Sequence, residues 1–174
     1  KIYKLKRQEN NMESLDVYDD NGHVTGKTVI RGDKSVTLND NEHIAVAVIY
    51  IRNSKGQYLI QKTSPEKGGK YSSTGGHVNS GETPLETIKR EVFEEIGVNI
   101  DNDEIKECGY LLYDKPIRYM FYLNKDVDID SINIQKSEVD FVRYMTEDEI
   151  QELIKNDEMT KSHGIIFNEI LKMI

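Results

Sequence analysis

Residues 75–98 read GGHVNSGETPLETIKREVFEEIGV. Thr83-Pro84-Leu85-Glu86 is a strong helix start: Thr caps, Pro takes the first helical position, and Glu86 completes a capping box. Gly97 is a good C-terminal stop. Between them Leu85, Ile88, Val92 and Ile96 recur as one apolar stripe. At about 100° per residue, Glu91, Glu94 and Glu95 cluster on a separate face beside that stripe. Such neighbours repel one another by a few tenths of a kcal/mol per pair, about 0.2–0.5. An acidic triplet on a helix is ordinarily a solvated surface. Here one cation, Arg90, serves three anions, and Gly75-Gly76 stand just upstream, where bare backbone can approach a ligand and offer a carbonyl oxygen. Clustered carboxylate and carbonyl oxygens are what hard divalent cations such as Mg²⁺ take as ligands.

Strand signals flank this helix. IAVAVIYI, residues 44–51, is apolar throughout and β-branched, so it reads as a central strand buried on both faces. The Asn53–Gly56 turn leads into a partner strand, QYLIQK. TSPEKGGKYSSTGG then reads as a long loop. Beyond the helix, GYLLYD, RYMFYL and VDFVRYM are further strands. TEDEIQELIKN opens with a second capping box, Thr146 and Glu149. A last helix is expected over about 163–174, from the spacing of Ile166, Ile170 and Ile174. Near the start, LDVYDDNGHVTGKTVI alternates around Asn21-Gly22, a hairpin over about 14–30. The pattern predicts an α/β (α+β) sandwich, one domain over 12–174 with its core at about 44–150, and an N-terminal β-hairpin extension. Residues 1–11 read as a leader or appended run before Met12.

The chain has 174 residues, 37% hydrophobic and 31% charged, with a formal net charge of -8. That balance disfavours general nucleic-acid binding, which needs a basic surface to displace counterions. A small anionic substrate stays compatible, because a metal ion reverses the local field of an acidic site. The single cysteine, Cys108, rules out an internal disulfide and makes a reducing, cytoplasmic setting the default. No apolar run approaches the ~20 residues that span a bilayer.

Gly76, five residues, Glu82, seven residues, then Arg90-Glu91-Val92-Phe93-Glu94-Glu95-Ile96-Gly97-Val98 resembles the Nudix box at every fixed position. The likeness, with the flanking strands, covers roughly 44–150. It implies an α/β/α sandwich around a mixed β-sheet and hydrolysis of a diphosphate linked to another group, usually in nucleoside diphosphate derivatives, with Mg²⁺ or Mn²⁺. By that resemblance Glu91, Glu94 and Glu95 match the metal-binding and catalytic glutamates, and Gly76 the glycine whose carbonyl joins the coordination shell. Arg90 matches the arginine that orients them, and Glu82 a secondary carboxylate. The base that takes the proton from water is Glu91 or Glu94, or a loop residue outside the box.

Glu138, just before the VDFVRYM strand, is a candidate for that outside role, the alternative being a surface strand end. Lys62, Lys67, Lys70 and Arg118 could meet substrate phosphates, with Arg118 and Lys62 foremost. Tyr71 could stack on a base or simply pack. His43 reads as structural, His77 as a variable loop position and His163 as a helix-start residue.

The hairpin segment followed by His43 also resembles isopentenyl-diphosphate isomerases and a neighbouring hydrolase branch. An isomerase needs a reactive cysteine, which YSSTGGH lacks, so the resemblance is to the hydrolases. Close hydrolase relatives often carry an arginine after the Gln-Lys pair and a Pro-Gly-x-Trp run before the box. Here Thr63 and Gly68-Gly69-Lys70-Tyr71 stand there, so substrate contacts are not carried over from those relatives. Two rival readings remain at this point, a nucleotide sensor without turnover and the isomerase. The hairpin also offers an edge on which a homodimer could pair.

Overall fold

The computed structural model describes residues 12–174, so the leader assigned to 1–11 lies outside the described residues. The N-terminal hairpin forms as expected, β1 (Ser14–Tyr18) against β2 (Val24–Ile30). Asp19 closes its turn, its carboxylate accepting from the N–H groups of Asn21 and His23 at 2.9 Å each, while Gly22 takes the left-handed φ of 78°.

The apolar run 44–51 becomes the body of β3 (His43–Arg52), and its alternation between two buried faces explains why no residue of that run is charged. Ala45, Ala47, Ile49 and Ile51 belong to one apolar cluster; Val46, Val48 and Tyr50 belong to a second on the opposite face. Parallel to β3 runs β8 (Ile117–Asn124), in register from Ala45–Ile117 to Arg52–Asn124, with β7 (Ile105–Leu112) antiparallel beyond it. β6 (Thr74–His77) takes the other edge of β3 at Val46–Ile49. β4 (Tyr58–Thr63) pairs with β3 at Arg52–Tyr58, then diverges to pair with β9 (Val139–Met145) and the two-residue β5 (Tyr71–Ser72). The sheet therefore splits between β4 and β6.

Helix α1 (Pro84–Ile96) covers one face and buries Ile88, Val92 and Ile96 in the first cluster. Helices α2 (Glu147–Lys155) and α3 (Lys161–Leu171) cover the other with Ile150, Leu153, Ile166, Phe167 and Ile170. This is the expected α/β/α arrangement around a mixed sheet. Both capping boxes form, at Thr83–Glu86 and Thr146–Glu149.

Three expectations need correction. The stretch read as a loop before the box contains β5 and β6. Ser- and Gly-rich residues have weak strand propensity, and pairing with buried neighbours overrides it. The last helix starts at Lys161 and ends at Leu171, leaving Ile174 45% exposed, so its helical spacing there was coincidental. β7 begins at Ile105, before GYLLYD, because Ile105–Glu107 pair with Leu123–Phe121 ahead of a bulge at Gly109. No helix among the described residues is long and apolar enough to cross a membrane.

Candidate active site

Helix α1 presents its carboxylates at graded depth. Glu94 is exposed, Glu91 is largely covered, and Glu95 is buried at 7% exposure. Glu95 thus sits beneath the polar face expected from sequence, on the side turned to the split between β4 and β6. Arg90 draws the others together. Its Nε and Nη2 donate to the two oxygens of Glu82 at 2.8 and 3.0 Å, and Nη1 donates to Glu91 at 2.8 Å and Glu94 at 3.1 Å. Nη2 also reaches the His77 carbonyl at 3.3 Å. Burial works against the Arg90 charge, but these carboxylates outweigh it and hold its pKa above the usual range.

Glu95 bonds elsewhere. The Gln61 side-chain N–H donates to Glu95 Oε2 at 2.8 Å, and the Thr74 hydroxyl donates to Gln61 Oε1 at 3.1 Å. Burial, then the Glu91 charge, push the Glu95 pKa up to about 8 against the pull of Gln61. Burial likewise pushes Glu91 up to about 7, although Arg90 opposes it. Glu82 falls the other way: burial raises it, yet the Arg90 and Thr87 hydrogen bonds hold it below the usual carboxylate range.

Gly76 faces this group from β6. A Cβ there would collide with the Glu91 carboxylate, so only glycine lets strand and helix approach this closely. The box loop is braced by the hairpin: Asp16 accepts from the Ser80 hydroxyl at 2.7 Å and the Gly81 N–H at 2.9 Å.

Glu138 joins the neighbourhood through the end of α1. The orphan carbonyls of Glu95 and Ile96 accept from Gln135 N–H at 2.9 Å and Asn133 N–H at 3.1 Å. Gly97, at φ 72°, makes room for Asn133. That loop carries Glu138 to where its charge raises the pKa of Glu95, and Lys67 pairs with it at 3.1 Å.

The remaining candidates lie across the sheet. Gln61 points to α1, so Lys62, the next residue of the strand, points to the α2–α3 side. There Tyr71 has the Lys62 Nζ 4.7 Å and the Arg143 guanidinium 5.5 Å from its ring centre, with Phe141 edge-on at 6.1 Å. Lys70 pairs with Asp157 at 3.0 Å. Arg118, opposite Val46, shares that face with Met120 and Tyr122. His77 belongs to β6, not a loop, and burial, with the charges of Arg31 and Arg118, pushes its pKa down to about 4. His163 does more than begin α3: its Nδ1 accepts from the Ser73 N–H at 3.2 Å and faces the Ser73 hydroxyl at 3.0 Å. Cys108 is buried in the α3-side cluster.

Among the described residues, no three Asp, Glu, His or Cys side chains already form a closed metal cage. The donors nonetheless suit Mg²⁺, which keeps several waters and binds through one or two carboxylates plus substrate phosphates. Glu91 and Glu95, both strained as anions, with Gly76 backbone against Glu91, are a donor set of that kind.

Residues 41–167 match the NUDIX domain family model. The chain is 34% identical over 151 residues to an uncharacterised Nudix hydrolase of Listeria monocytogenes, covering 84% of this chain and 88% of that one. It is 40% identical over 87 residues to an 8-oxo-dGTP diphosphatase of Haemophilus influenzae, covering 48% of this chain and 64% of that protein. A Deinococcus radiodurans crystal structure superposes with a TM-score of 0.74 at 22% identity, covering 90% of this chain and 98% of that one. The chain belongs to the Nudix family. It is a hydrolase acting on diphosphate bonds.

Gln61, Thr74 and Asp16 escaped the sequence reading. A glutamine after Leu59-Ile60 in a strand was the available signal, since a buried polar side chain requires a partner.

Proposed function

We propose that the chain is a Mg²⁺- or Mn²⁺-dependent pyrophosphohydrolase that cleaves a nucleoside diphosphate derivative, or a similar small diphosphate, by water attack at phosphorus. One observation carries the reading. Two covered carboxylates stand side by side on α1: Glu91 against the bare backbone of Gly76, and Glu95 with no cation bonded to it, while the single Arg90 is shared among Glu82, Glu91 and Glu94. Uncompensated buried charge of this kind is costly unless a cation completes it.

Glu91, Glu94 and Glu95 with the Gly76 carbonyl would hold the cation. When bound, it neutralises phosphate charge and lowers the pKa of a coordinated water. The residues of the chain do the rest. Arg90 fixes the rotamers of Glu91 and Glu94, so their oxygens stand ready at one place. Glu91, Glu94 or Glu138 takes the proton from the attacking water. Glu138 is tied to Lys67 and faces Glu95 electrostatically, which suits a base outside the helix. We assign the part of the substrate away from the cleaved bond to the opposite face, where Tyr71 has two cations against its ring and Arg118 shares the face. An aromatic ring flanked by cations suits a base and its phosphates. The diphosphatase activity of the Haemophilus influenzae relative supports a nucleotide substrate. The outer edge of β2 has no strand partner among the described residues and offers a seam for a second copy. The single buried Cys108 suits a cytoplasmic setting.

The test is phosphate or monophosphate release from a panel of nucleoside diphosphate derivatives with Mg²⁺ or Mn²⁺, for wild type and Glu95→Gln. Metal-dependent release that the variant loses supports the proposal. Ligand-induced thermal stabilisation without any release would replace it with the sensor.

A further inference from the structure

Glu95 is held differently from Glu82, Glu91 and Glu94. Glu82, Glu91 and Glu94 each bond a cation, which cancels part of their charge. Glu95 bonds a neutral amide. The amide comes from β4, its own partner Thr74 from β6, and Glu95 from α1, so three elements meet at the split in the sheet. All three side chains are buried, at 5%, 5% and 7% exposure for Gln61, Thr74 and Glu95.

The order of this relay is fixed chemically. A glutamine amide can turn either end toward a neighbour. Turned with oxygen toward the ionised, metal-binding form of Glu95, it would set two acceptors against each other. Turned as found, its N–H₂ donates to Glu95 Oε2 at 2.8 Å and its oxygen accepts from the Thr74 hydroxyl at 3.1 Å. The carboxylate oxygen fixes which end of the amide faces it, Thr74 donates to the other end, and the two contacts together hold the plane of the carboxylate. Glu95 Oε1 has no hydrogen-bond partner in the protein among the described residues. A lysine or arginine at Gln61 would hold Glu95 as firmly but neutralise it. A neutral donor orients the carboxylate and leaves its full charge for a cation.

We propose that Gln61 and Thr74 are positioning residues that aim Glu95 at the divalent cation, an inference that rests on the metal-dependent reading above. Outer hydrogen-bond partners of metal ligands commonly set affinity by 10–100-fold.

The experiment is Mn²⁺ binding to the full, metal-free chain, followed by electron paramagnetic resonance of free Mn²⁺ well below the melting temperature. Wild type should bind Mn²⁺, and Glu95→Gln should bind much more weakly. Gln61→Leu and Thr74→Val should each weaken binding by about 10-fold. Thr74→Ser, which keeps the hydroxyl, should bind as wild type does. Where Gln61→Leu does not fold, the Thr74→Val and Thr74→Ser pair decides. A Thr74→Val protein that loses melting temperature but keeps wild-type Mn²⁺ affinity overturns the relay and leaves the metal site standing. A wild type whose Mn²⁺ binding is untouched by Glu95→Gln overturns the metal reading and the relay together.

Discussion

Arg90 is the hinge of the site, and its removal has a calculable consequence. The guanidinium is only 15% exposed and makes a two-point contact with Glu82, which is 25% exposed, besides single contacts with Glu91 and Glu94. Breaking a buried pair by removing one partner costs about 3–5 kcal/mol. Partial exposure of Glu82 and the 47% exposure of Glu94 reduce that figure, to roughly 2–4 kcal/mol for Arg90→Met, where stem packing is retained. For a chain of this length each kcal/mol shifts the melting temperature by about 2–4 °C, so a fall of roughly 5–15 °C is expected. Glu82→Gln should cost less, about 1–2 kcal/mol, because Arg90 keeps two other carboxylates. The double variant should be more stable than the sum of losses implies, with a coupling of at least ~1 kcal/mol, since neither charge is then left facing a vacant partner. Thermal unfolding of the four proteins by circular dichroism, metal-free and at one pH, measures the cycle. Additive losses, or an Arg90→Met cost below ~1 kcal/mol, would refute the claim that this guanidinium organises the box.

Other consequences follow from single contacts. Gly76→Ala should lower the melting temperature through an overpacking cost of about 1–3 kcal/mol and abolish diphosphate hydrolysis, because its Cβ displaces Glu91; melting curves and phosphate release check both. Thr83→Ala should cost about 1 kcal/mol by opening the capping box of α1, read as a melting-temperature fall of a few degrees. His163 should make stability fall with acid. Burial, with the Arg118 charge, pushes its pKa down to about 4 from 6.5, so between those values the unfolded chain binds a proton that the folded one refuses. Its contribution is whole above pH 6.5 and is lost as pH drops toward 4, by up to about 3 kcal/mol. The difference in stability between wild type and His163→Asn, followed over that range by denaturant unfolding, should shrink by that amount; a pH-independent difference would contradict it.

Much of this protein is written locally. The capping box and Gly97 set the ends of α1 because they satisfy orphan backbone groups from within a few residues. The unbroken apolar run of β3 announced a strand buried on both faces, and Asn21-Gly22 announced the hairpin. The box itself, with Gly76, Glu82 and Arg90 through Gly97, was legible because its spacing is fixed along the chain.

What the sequence could not decide depends on partners far away in it. β5 and β6 are strands only because buried neighbours pair with them, which no propensity of Ser and Gly would suggest. The alternation of β4 sends Gln61 to α1 and Lys62 to the other face, so two residues adjacent in sequence serve opposite sides of the sheet. Glu95 looked like one of three equal surface carboxylates. Its burial against Gln61 and Thr74 exists only once α1, β4 and β6 are packed together. Local geometry and spacing determined the helix and the family; desolvation and the register of distant strands decided which glutamate is buried and what holds it.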